Sequence, residues 1–171
     1  MKRHYHYVGP TEIAEAVASI PEGTAILKVQ DVLNWIKETK QYIDRYNSII
    51  ATFIIDQSGV LYLADRHSEH VACARGKPVL SAGEISLLIE RNDIIVDSVT
   101  NQSTGYCPEP SSWLEVANAL GNAGIAAPEN FSISYEFRRC KNCHSINLVK
   151  DNVFQCVLCE TDLPAFWNFA H

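Results

Sequence analysis

Two Cys-x-x-Cys pairs, Cys140-Lys141-Asn142-Cys143 and Cys156-Val157-Leu158-Cys159, constrain this chain more than any other feature. Each pair closes a tight turn that aims two sulfurs at one point, and two such turns supply the four thiolates of a tetrahedral zinc site. Twelve residues separate Cys143 from Cys156. That interval is shorter than the common spacing but leaves room for a hairpin. Residues 146–149 and 153–155 are its expected strands, with Asp151-Asn152 at the turn. Four sulfurs fill the coordination sphere, so the expected cofactor is Zn2+ in a structural role, held by Cys140, Cys143, Cys156 and Cys159.

Residues 140–159 resemble a zinc ribbon of the rubredoxin-like knuckle type. The order of a hairpin, a His-Ser-Glu-His segment, a Thr-Asn-Gln-Ser-Thr-Gly-Tyr-Cys loop and a ribbon is similar to that of small, uncharacterised bacterial proteins with a terminal zinc ribbon. The resemblance implies a metal and carries no activity with it. Arg138, Arg139 and Lys141 sit beside the first knuckle. Their expected role is to offset the charge of the thiolates, with nucleic-acid contact through the ribbon as a further reading.

Composition narrows the function classes. The chain has 171 residues, 47% hydrophobic and 20% charged, which is ordinary for a globular domain with its own core. The formal charge of −6 argues against a surface that wraps nucleic acid. The densest apolar stretch, residues 49–55, includes Thr52 and is far below the ~20 residues of a membrane span. No apolar stretch of signal-peptide length follows Lys2 and Arg3. A cytoplasmic location is therefore expected, where thiols stay reduced and serve as ligands.

Helical and strand patterns alternate without a βαβ repeat, which predicts an α+β fold with a mixed or antiparallel sheet and flanking helices. Ile13, Ala14, Ala16, Val17 and Ile20 fall on one helical face after Pro10-Thr11. Asp31 reads as the N-cap of a second helix. Residues 49–56 and 60–64 read as a hairpin, and residues 84–89 and 94–99 as a second strand pair. Ser112 and Glu115 have capping-box spacing before a further helix, and residues 131–137 alternate as one more strand. The expected division is an α+β domain over 1–138 and a zinc ribbon over 139–171. The aromatic tail with Phe166, Trp167 and Phe169 is expected to pack back on the main domain.

Two polar segments are the candidate sites. His67, Glu69 and His70 follow a hairpin strand, with Cys73 close behind. His67-Ser68-Glu69 is similar to the H-x-E of zinc deaminases, but Pro108, Glu109 and Pro110 follow Cys107 where that chemistry needs Cys-x-x-Cys. The second segment crowds Asn101, Gln102, Ser103, Thr104 and Tyr106 before Cys107. These offer amides, hydroxyls and a flat ring to a polar ligand. The leading reading is a non-catalytic zinc-containing binding or interaction protein. Its partner is a protein or a small polar ligand, and any ligand site lies on the 67–73 and 101–107 loops. The alternative is a small enzyme on a polar or nucleotide-like substrate, using His67, Glu69, His70 and Cys107 as catalytic groups.

Overall fold

A computed structural model describes residues 2–169. Five strands form an antiparallel sheet: β1 (Thr24–Ile26), β2 (Ser48–Ile55), β3 (Leu61–Asp65), β4 (Ser81–Glu90) and β5 (Asp93–Val99), in the order β1-β3-β2-β4-β5. The helices among the described residues are α1 (Thr11–Ala16), α2 (Val29–Glu38), α3 (His70–Cys73) and α4 (Trp113–Asn122). A separate hairpin pairs β6 (Glu136–Arg139) with β7 (Ile146–Val149). The fold is α+β.

The apolar run of β2 reflects a strand covered on both faces. Ile49, Ala51, Phe53 and Ile55 join Ile85 and Leu87 of β4 in a core closed by Val32, Trp35 and Ile36 of α2 and by Val116 and Leu120 of α4. Ile54 and Ala82 point the other way, against Val71 and Cys73 of α3 and the buried rings of Tyr5 and Tyr106. Burying each large side chain contributes about 1.5–3 kcal/mol. The two cores clamp the middle of the sheet between helical layers.

Several boundaries differ from the sequence reading. Asp31 is not the N-cap: α2 starts at Val29, and the Asp31 carboxylate reaches back to accept from the N–H groups of Leu27 and Lys28 at 2.9 and 3.1 Å. It satisfies orphan donors from inside the first turn. α1 ends at Ala16, and Ile20 is exposed. Ser112 stands at the N-cap of α4 as expected, but its side chain makes no capping bond; it ends a 3-10 turn over Pro110–Ser112, and its hydroxyl lies 2.9 Å from that of Ser81. Residues 131–135 run beside the end of β5 through a bridge between Thr100 and Ile133 and two hydrogen bonds between Ser132 and Val99, the Ser132 N–H donating to the Val99 carbonyl at 2.8 Å and the Val99 N–H to the Ser132 hydroxyl at 3.0 Å; the strand itself begins at Glu136.

The ribbon hairpin is also placed differently. β7 pairs with β6, not with residues 153–155, so the first CxxC turn lies between the paired strands. Asp151 and Asn152 still turn the chain, both with positive φ (52° and 57°), as a two-residue hairpin turn requires.

One glycine positions the polar loop. A Cβ on Gly83 would stand 1.9 Å from the carbonyl oxygen of Thr100. Strand β4 therefore admits the segment entering the 101–107 loop directly over its backbone only because residue 83 lacks a side chain.

Candidate metal centre and ligand cavity

The two CxxC turns are built alike. The Cys140 N–H donates to the Ser145 carbonyl and the His144 N–H to the Cys140 carbonyl; the Cys156 N–H donates to Thr161 and the Glu160 N–H to Cys156. His144 and Glu160, each just after the second cysteine of its pair, both take positive φ (62° and 60°). Ser145 and Thr161 occupy matching places, and their hydroxyls lie 3.1 Å from the sulfur of Cys143 and 3.3 Å from that of Cys159. Buried Asn147 ties the turns together: its carbonyl oxygen accepts from the Val157 N–H at 3.0 Å, and its amide lies 3.6 Å from the Cys156 sulfur.

This geometry fits a metal ion. The four sulfurs lie within 4.8 Å of one another, with Cys140–Cys159 at 3.5 Å and Cys143–Cys156 at 3.6 Å. Sulfurs ~2.3 Å from a tetrahedral centre stand ~3.8 Å apart. The Ser145 hydroxyl, above all, holds the Cys156 thiol down at about 5, and the Thr161 hydroxyl does most to hold Cys159 at about 7. Donors around sulfur favour the thiolate, which is the form that binds metal.

The basic cluster and the tail lock this centre to the body. Arg138 is buried, and its guanidinium donates to the carbonyls of Phe137, Pro164 and Ala165. Arg139 lies over the Phe169 ring at 5.3 Å, while the Asn168 amide bonds both the N–H and the carbonyl of Arg139 at 2.9 and 2.8 Å. Trp167 meets the Tyr5 ring edge-on at 5.6 Å and is covered by Arg3 at 4.8 Å. Phe166 takes no part in this packing and is 84% exposed.

The polar loop is mostly interior. Asn101 is fully buried; its amide donates to the carbonyls of Pro108 and Tyr135 and its oxygen accepts from the Tyr135 N–H. The Tyr106 hydroxyl donates to the Lys77 carbonyl at 3.0 Å, and the ring is buried. Ser103 is buried, and its hydroxyl has no hydrogen-bond partner among the described residues. These three side chains face the core and present nothing to a solvent-borne ligand. Gln102 and Thr104 remain outside. Cys107 donates its thiol proton to the Thr104 carbonyl at 3.3 Å, and burial pushes it up to about 12, far from a nucleophilic thiolate. Cys73, also buried, is raised to about 12 by burial.

The histidines separate. The His67 ring is exposed and bonds Asp65 at 3.1 Å. It borders a cavity of about 300 Å³ with Tyr42, Asp44 and Arg66. The carboxylates there already hold turns: Asp44 accepts from the N–H groups of Tyr46 and Ser48, and Asp65 from that of His67. His70 opens α3 instead, and its Nε2 lies 2.9 Å from the Gly83 carbonyl oxygen. A carbonyl only accepts, so Nε2 carries the proton and Nδ1 is left as a lone pair with no hydrogen-bond partner among the described residues. Burial pushes the His70 pKa down, and the ring is neutral at pH 7.

A second, smaller cavity of about 110 Å³ is where the two polar segments meet. Glu69 and His70 from one and Thr104 from the other line it, with Tyr7, Ile13 and Ile146. Ile146 belongs to β7, so the β6–β7 hairpin forms part of the wall. A Cβ on Gly105 would stand 2.9 Å from the Tyr7 ring, which lets the loop close on Tyr7 here. Nothing in the sequence placed Tyr7 or Ile146 beside His70; both arrive through long-range packing. No protein-family model, curated protein or solved structure matches this chain.

Proposed function

We propose that this chain is a non-catalytic, zinc-containing binding protein. Its ligand site is the cavity between the 67–73 and 101–107 segments, and its metal is structural. The observation that carries the reading is the convergence of Glu69, His70 and Thr104 on one concavity, where the Glu69 carboxylate, His70 Nδ1 and Thr104 hydroxyl have no hydrogen-bond partner among the described residues. The four-thiolate set suits Zn2+ and offers it no exchangeable position, so the metal contributes folding energy. Cys107, the nucleophile candidate of the enzyme alternative, is buried and protonated, and His67 lies apart from Glu69 and His70 on another cavity.

A fragment screen on the zinc-loaded protein, read by backbone amide NMR, tests the reading. Binders are expected to shift the amides of residues 69–71 and 104–105, and His70→Ala is expected to remove those shifts with the zinc content intact. Binders that collect on the ribbon instead, or none at the cavity, would overturn it.

A further inference from the structure

The chemistry of that cavity restricts its ligand. It rests on the cavity reading above and goes on to the ligand's class. Its polar side chains are rich in acceptors. The Glu69 carboxylate has no hydrogen-bond or ion-pair partner among the described residues, and although Glu69 is the residue before α3 its side chain makes no capping bond to the helix. His70 offers the Nδ1 lone pair, since its proton is committed to Gly83. The Thr104 hydroxyl is unpartnered and can accept as well. No lysine or arginine lines the cavity among the described residues.

The local field has the same sign. After burial, the charges of Glu69 and Glu12 are what push the Tyr7 phenol up. Tyr7 hands its hydroxyl proton to the Pro10 carbonyl at 2.9 Å, so it does not serve the cavity as a donor. Its ring is a face of the kind that attracts cations. An anion would meet the Glu69 carboxylate, in the field of Glu12, with no lysine or arginine in the lining; a donor-rich cation meets acceptors and a ring.

Size and walls give the rest. About 110 Å³ is well below the ~300–1,000 Å³ of pockets that take drug-sized ligands. Ile13 and Ile146 supply apolar walls suited to a short hydrocarbon stem. We infer that the cavity binds a primary alkylammonium group, with N–H bonds to Glu69 and to Nδ1 of His70 and the stem against Ile13 and Ile146. Such a group is presented by a free short amine or by a lysine side chain.

The test is a titration of the zinc-loaded protein at pH 7 with n-butylammonium chloride, n-butanol and sodium butyrate, each followed by amide NMR. Butylammonium is expected to bind in the millimolar range and shift residues 69–71 and 104–105. Glu69→Gln should weaken it about tenfold or more, as loss of a charged acceptor does. Acetyl-lysine amide, with a free side-chain amine, separates the sources. Tighter binding than butylammonium identifies a lysine side chain; equal or weaker binding identifies a free amine. Butyrate or butanol shifting the same residues at lower concentration would overturn the ligand class while leaving the cavity as the site. No response from any of these probes, with fragments binding there, would also overturn the class. No response from probes or fragments would overturn both.

Discussion

Trp167 donates its indole N–H to the backbone carbonyl of Cys107 at 2.8 Å, across sixty residues of chain. This bond joins the tail beyond the second CxxC pair to the end of the polar loop. Cys107 itself takes a positive φ of 48° there, a conformation that its surroundings must enforce. Phe137 and Phe169 pack around the same point. Trp167→Ala removes the bond and part of this packing, and is expected to cost about 2–3 kcal/mol. Phe166→Ala, one residue earlier, should stay within about 0.5 kcal/mol of the parent. Urea unfolding of the two variants measures both; equal losses would contradict the packing described.

Much of the architecture was legible from local pattern. The β2–β3 and β4–β5 hairpins show as apolar and β-branched runs separated by Gln57-Ser58-Gly59 and by Arg91-Asn92-Asp93, and the four cysteines that cluster at metal-binding distance declare themselves by spacing. What local pattern does not carry is direction. Asn101 and Tyr106 look like ligand-facing groups because they are polar, yet their partners, Tyr135 and Lys77, lie 34 and 29 residues away. Residues 153–155 have the composition of a strand, but β6 takes that place beside β7, and no nearby residue signals the exchange. Tyr7 belongs to an N-terminal segment that gave no sign of a site until Gly105 and Thr104 folded against it.

Asn101 separates a structural role from a ligand-binding one. Replacing it by Ala leaves the Tyr135 N–H without its acceptor and two carbonyls without their donor, all in the interior. Each unsatisfied buried group costs about 1–3 kcal/mol. Asn101→Ala is therefore expected to lower stability by about 2–4 kcal/mol in denaturant titration. A variant as stable as the parent that has lost ligand binding would restore Asn101 to the binding surface.

His70 gives the fold a defined acid sensitivity. Burial lowers its folded pKa below the ordinary value near 6.5. Above that value both folded and unfolded chains hold a neutral ring, and no penalty arises. As pH falls below it, the unfolded chain takes up a proton that the folded chain refuses, so stability drops until the folded pKa is reached. The slope is at most about 1.4 kcal/mol per pH unit for one proton. His70→Gln should flatten the decline between pH 7 and pH 5 relative to the parent. Parallel stability curves for the two proteins would show that His70 titrates freely in the folded state.

The most direct test of the account is the metal content of protein purified without added zinc, measured together with its reactive thiols. A zinc-clamped ribbon predicts one equivalent of zinc per chain and four thiols released only when a chelator removes it. The Cys156→Ser variant should lose both the metal and the protease resistance of the region around Cys140. A folded, metal-free protein with Cys140, Cys143, Cys156 and Cys159 oxidised in pairs would contradict it.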